Sequence, residues 1–93
     1  MVKVKFVGAL RHAAGTEEIS IQHAEELSVE NLMFKLAKEK TLLKNSLVDE
    51  RFGQMYLNVL VLVNGREINV LNGVKTMLKE NDEVVFIPVV HGG

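Results

Sequence analysis

The stretch Val84-Val85-Phe86-Ile87-Pro88-Val89-Val90 decides the fold class. It is apolar on both faces, so the strand it forms must be covered at least in part on both sides and belongs in the middle of a sheet. Its most economical neighbour is the start of the chain. Residues 2–7 alternate, with Val2, Val4 and Phe6 on one side and Lys3, Lys5 and Val7 on the other, the period of a half-buried strand. Residues 17–22 alternate again through Ile19 and Ile21. The segment between, residues 8–15, reads as the loop of a long hairpin.

Between these strands lies one well-marked helix. Ser28 is an N-cap, its hydroxyl placed to accept from an unpaired N–H of the first turn. Leu27 and Leu32 occupy the two positions of a hydrophobic staple. Val29, Leu32, Met33, Leu36 and Ala37 then recur at helical spacing and form one apolar stripe. The pattern predicts a helix over residues 28–40. Residues 41–56 carry little signal: Leu42, Leu43, Leu47 and Val48 support a short helical turn, and Asp49-Glu50-Arg51-Phe52-Gly53 reads as a connection. Residues 58–63 form a β-branched and leucine-rich strand ending at Asn64-Gly65, a strong hairpin-turn pair. A strand over residues 67–71 is expected to return from it, followed by a short turn near residues 76–78.

The resulting order is hairpin, helix, irregular link, hairpin, final strand. It implies an α+β fold: one domain over residues 1–93, a mixed four- or five-stranded sheet, and one main helix packed on one face. The opposite face has no second helix to cover it.

Composition narrows the function. Eleven Lys and Arg stand against twelve Asp and Glu, which gives no electrostatic case for nucleic acid or an anionic membrane. No apolar run approaches the roughly 18 residues of a membrane span, and the alternating start is unlike a signal peptide. The chain has no cysteine, so it offers no disulfide, thiol nucleophile or zinc–thiolate site, and it suits a cytoplasmic setting. His12, His23 and His91 lie in separate segments without metal-ligand spacing. Ser20, Ser28 and Ser46 lack a nucleophile-elbow setting, and the isolated glycines form no phosphate loop. No catalytic site of the chain's own and no metal site are expected.

The chain end is different. Gly92 and Gly93 come soon after the apolar strand, leaving a short flexible tail, about residues 90–93, with a main-chain carboxylate and no bulky side chain on its last two residues. Such an arm suits a narrow partner site that admits only backbone.

At these residues the chain resembles the small sulfur-carrier proteins of the ubiquitin-like β-grasp fold. The resemblance includes the small subunit of molybdopterin synthase (MoaD), the related ThiS carriers and the archaeal ubiquitin-like modifiers. Phe6-Val7-Gly8-Ala9-Leu10-Arg11, with Gly15 after it, is similar to the family's first strand and loop. Val61-Leu62-Val63-Asn64-Gly65-Arg66 is similar to its V-N-G-R hairpin. The most specific likeness runs from Leu78 to Gly93 and follows L-x-D-G-D-E-V-x-x-x-P-P-V-x-G-G. Three departures from it matter. Asn81 replaces a glycine, and Asn tolerates the left-handed conformation. Val89 replaces the second proline, so a less rigid exit path is expected. His91 stands where a small residue is common.

The resemblance implies that an E1-like adenylyltransferase of the MoeB or ThiF type uses ATP to adenylate the carboxylate of Gly93. A sulfur nucleophile then leaves a thiocarboxylate there. The carrier itself binds no cofactor, and Gly92, with His91 before it, gives clearance for entry. The implied acceptor is the large subunit of a molybdopterin synthase (MoaE type), placing the chain as the small subunit in molybdenum or tungsten cofactor synthesis. Transfer RNA thiolation, thiamine synthesis and conjugation of Gly93 to lysines of target proteins are the alternatives, with a pure binding module as a third class. For docking, Val7 is the outward apolar residue of the first strand. The resemblance puts Ile87 on the same outer face, with Val89 and Ile68 nearby. Arg11 is a weaker candidate, for an ionic contact with a partner.

Overall fold

The computed structural model describes residues 1–22, 26–51 and 54–89. In chain order the strands and helices are β1 (Val2–Phe6), α1 (Ala9–Ala14), β2 (Glu18–Ile21), β3 (Leu27–Ser28), α2 (Val29–Glu39), α3 (Thr41–Leu47), β4 (Val48–Arg51), β5 (Gln54–Leu57), β6 (Val59–Val63), β7 (Arg66–Glu67), β8 (Met77–Leu78) and β9 (Glu83–Pro88). Two 3₁₀ turns, Ile68–Val70 and Gly73–Lys75, lie between β7 and β8.

The apolar strand is central, as its composition requires. The main sheet has the order β2-β1-β9-β6-β7. Within it β9 runs parallel to β1, with Val4 opposite Val84 and Phe6 opposite Phe86, and antiparallel to β6, with Val61 opposite Phe86. Every second residue of these three strands turns inward: Val2, Val4, Phe6, Val59, Val61, Val63, Val84 and Phe86 are all buried. The Phe6 and Phe86 rings stack with centroids 6.0 Å apart. Against this face pack Val29, Leu32, Met33 and Leu36 of α2 and Leu43 and Leu47 of α3. The α2 boundary obeys its cap. Ser28 Oγ accepts from the Asn31 N–H at 3.1 Å, and the Thr76 carbonyl takes the Val29 N–H at 2.9 Å. Together they satisfy two of the first-turn donors.

Four segments depart from the expected reading. Residues 8–15 hold α1 rather than an open loop. Leu10 and Ala14, four apart, both reach the core, and Gly15 closes the helix in the left-handed conformation at φ 77°. Residues 41–57 contain α3 and the β4–β5 hairpin, which forms a two-stranded sheet of its own. The strand expected over 67–71 stops after Glu67. Its carboxylate accepts from the Asn69 N–H, which starts a 3₁₀ turn and swings Ile68 into the core. Residues 77–78 form β8, which pairs with β3 where a turn was expected. The Asn64-Gly65 turn has positive φ at both positions, 51° and 83°, the type I′ geometry of a two-residue hairpin. Asn81 does adopt the left-handed conformation, at φ 71°.

Candidate functional site

Strand alternation that sends Phe6 and Phe86 inward sends their neighbours outward. Val85 lies between Lys5 and Leu62, and Ile87 is opposite Leu60. Val7, one residue beyond β1, donates its N–H to the Phe86 carbonyl at 3.1 Å and so stays in line with the sheet. Val7, Leu60, Leu62, Val85 and Ile87 therefore share the face away from α2, none of them buried. Leu60 is the most open of this set, at 40%, and Val89, just beyond β9, is 42% exposed. No described helix crosses this face. Five aliphatic side chains from three adjacent strands make a contiguous apolar surface of the kind that proteins use for association.

Charged groups border the patch. Lys5 Nζ lies 3.2 Å from Glu83 Oε2 across the parallel β1–β9 pair. Arg11 Nε donates to the Phe6 carbonyl at 3.0 Å, and its Nη2 is 3.5 Å from Glu17 Oε1. The Arg11 cation is half-exposed and held beside a groove of about 280 Å³ between Lys5, Val7, Glu17 and Val85. It sits at the patch edge with part of its hydrogen-bonding capacity already used inside the chain.

The expected docking residues thus divide. Val7 and Ile87 lie on one outer face, Val89 continues it toward the tail, and Arg11 flanks it. Ile68 does not belong there. It is 2% exposed, drawn into the core by the 3₁₀ turn that ends β7, and offers a partner no surface. Three residues of the patch escaped the sequence reading: Leu60, Leu62 and Val85. The signal was present, because residues 59–63 are apolar on both faces just as residues 84–90 are, and a second face of such a strand must lie opposite the helix. His91, Gly92 and Gly93 lie outside the described residues.

The root of the tail is described. Pro88 has no N–H and pairs with Val59 at the end of the β6–β9 ladder. The next residue, Val89, donates to the Asn58 carbonyl at 3.1 Å. A proline at position 89 would lack that donor, so the looser exit expected there is restrained by a hydrogen bond. Among the described residues no group of three or more His, Asp or Glu is arranged to hold a metal ion, and no helix is long and apolar enough to cross a membrane.

Comparison with known proteins places this architecture. The sequence pattern of the ThiS family matches residues 4–93. Small archaeal modifier protein 3 of Haloferax volcanii is 29% identical over 92 residues, spanning 99% of this chain and 98% of its own. The solution structure of small archaeal modifier protein 1 of Methanosarcina acetivorans superposes with a TM-score of 0.82 at 33% identity, covering 99% of this chain and 95% of that one. A Pyrococcus furiosus protein assigned as molybdopterin converting factor, subunit 1, gives a TM-score of 0.77 at 28% identity, with 96% and 97% covered.

Proposed function

The chain belongs to the ThiS family, the ubiquitin-like β-grasp sulfur carriers and modifiers, and from that premise we propose that it carries sulfur on the C-terminal carboxyl of Gly93. The observation that supports this most directly is the family match from residue 4 through residue 93, which takes in the glycine pair. A carboxylate is a poor electrophile and needs activation. An E1-like enzyme of the MoeB or ThiF type supplies ATP: the Gly93 carboxylate attacks the α-phosphorus, pyrophosphate leaves, and an acyl-adenylate forms. Hydrosulfide attacks the acyl carbon, AMP leaves, and after loss of the S–H proton a thiocarboxylate remains.

In this scheme the chain contributes its reactive end and its outer sheet face. Val7, Leu60, Ile87 and Val89 meet the partner, and the residues at 91–93 enter its site. The acceptor is the large subunit of a molybdopterin synthase (MoaE type), the branch supported by the likeness to the Pyrococcus furiosus protein. The likeness to two archaeal modifiers supports a second outcome from the same acyl-adenylate, attack by a lysine amine of a target protein to form an isopeptide bond.

Intact mass tests both. After incubation with ATP, the activating enzyme and a sulfur donor, the carrier should gain the mass of one sulfur-for-oxygen exchange. Trapping on lysines of other proteins would instead favour the modifier branch. Deleting Gly93 is expected to abolish ATP–pyrophosphate exchange while leaving thermal unfolding unchanged. Undiminished exchange by the truncated chain would overturn the assignment of Gly93.

A further inference from the structure

The last main-chain hydrogen bond among the described residues lies one residue beyond β9, and it ties the tail root to a helix on the far side of the sheet. Val89 N–H donates to the Asn58 carbonyl at 3.1 Å, and Asn58 N–H donates in turn to the Leu47 carbonyl at 2.9 Å. Asn58 Nδ2 also donates to the Asn45 carbonyl at 3.4 Å. Asn45 and Leu47 belong to the last turn of α3, whose carbonyls have no partner within their own helix. Asn58 is therefore fixed at its amide and its side chain, and it presents its remaining carbonyl to Val89. On the opposite flank Gly8 holds φ 61° and ψ −135°, a conformation that favours glycine. An added Cβ there would stand 3.5 Å from Pro88 Cγ, so the β1 side also closes on the same point.

We propose that Asn58 is a positioning residue for the reaction at Gly93, acting through Val89. This rests on the carrier function proposed above. Four residues lie between Val89 and the chain end, and they span at most about 14 Å. The hydrogen bond to Asn58 makes Val89 the pivot from which the chain leaves the sheet. Without the brace the pivot retreats into β9, and Val89 itself must be frozen at the moment the carboxylate reaches ATP. Of the docking residues only Val89 is released by this change, while Val7, Leu60 and Ile87 keep their places, so the brace acts on turnover more than on affinity. The bond to Asn58 lets a chain with valine at position 89 keep a defined point of departure from the sheet, and it gives the α3–β6 junction a role beyond packing.

Two variants and one exchange measurement test it. Asn58→Gly removes the side-chain bond to Asn45 and loosens the backbone that carries the acceptor. Replacing the Val89 amide by an ester, by semisynthesis, removes the single donor and leaves every side chain in place. With the purified activating enzyme, ATP–pyrophosphate exchange should lose about tenfold in kcat for the ester variant and about threefold for Asn58→Gly. The docking Kd should change less than kcat for both, because Val89 is the one docking residue that either variant loosens. In the free wild-type protein the Val89 amide should exchange with deuterium at least tenfold more slowly than an unprotected amide. An unprotected Val89 amide, or an ester variant with wild-type kcat, overturns the brace. Wild-type protein that supports no exchange at all overturns the carrier function and the role of Asn58 with it. A protected Val89 amide in that same protein would locate the failure in the function rather than in the brace.

Discussion

The two faces of the central sheet are built from the same residue types and serve opposite ends. On the helix side Val4, Val84 and Phe86 are at 0% exposure, and on the outer side Leu60 is at 40%, although all four belong to the same three strands. Alternation alone separates them. An aliphatic side chain facing α2 contributes to folding through burial. One facing outward contributes little to folding and keeps apolar area in water, which a lone domain gains nothing by maintaining. The contrast places stability on one face and leaves the other for the association proposed above. It also predicts that adjacent residues of one strand will respond differently to substitution.

Phe86 and Ile68 provide the largest expected effects. Phe86→Ala removes a fully buried ring stacked on Phe6 and should cost about 3–5 kcal/mol, read as a fall in the urea midpoint. Ile68→Ala should cost about 2–5 kcal/mol by the same measure. Ile68 is the sharper test, because its buried position contradicts a docking role. If Ile68→Ala left stability unchanged and weakened only partner binding, the division of the faces would fail.

Next come Ile87→Asp and Leu60→Asp, one residue along from Phe86 and Val61. These should weaken binding to the activating enzyme by at least about tenfold, the scale of an interface centre, with stability changed by less than about 1 kcal/mol. Titration calorimetry and urea unfolding on the same samples separate the two. Loss of folding with retained affinity per folded molecule would reverse the assignment of the outer face.

How much of this was legible depended on whether a segment's pattern reported both of its contacts. The β1 alternation, the Ser28 cap and the Asn64-Gly65 turn each impose one local geometry, and the structure follows them. The double-faced run at residues 84–90 implied its central place because only two neighbours can cover it. Ile68 was misplaced because strand continuation and a 3₁₀ turn suit the same residues, and the choice rests on a Glu67–Asn69 hydrogen bond that no periodicity encodes. Leu60 and Leu62 were readable but required applying to residues 59–63 the two-face logic already applied to residues 84–90. The Asn58 brace was not readable at all, since it joins residues 45, 58 and 89 through backbone carbonyls.

A smaller effect is expected at the edge of the helix-side core. Ser28→Ala removes the acceptor for the Asn31 N–H and should cost about 1 kcal/mol, seen as a lower urea midpoint with an unchanged slope. Partner affinity should not move, because Ser28 lies on the side of the sheet away from the patch. A changed affinity would mean that α2 also meets the partner.

The smallest effect tests whether the charges bordering the patch belong to folding or to association. Lys5 and Glu83 approach to 3.2 Å, yet their side chains are 43% and 39% exposed, so water and salt screen the pair on both sides. Exposed pairs of this kind contribute about 0.2–1 kcal/mol in double-mutant cycles, and this one should fall at the low end. Lys5→Ala, Glu83→Ala and the double variant should therefore show little coupling in urea unfolding. Because both charges sit beside Val85, a partner that covers the patch must meet them. Each single variant should then shift the association rate and its salt dependence, as charges at an interface rim do, while dissociation changes little. A coupling well above 1 kcal/mol in stability, with association rates unchanged, would make the pair part of the fold and leave Arg11 and Glu17 as the charged border of the outer face.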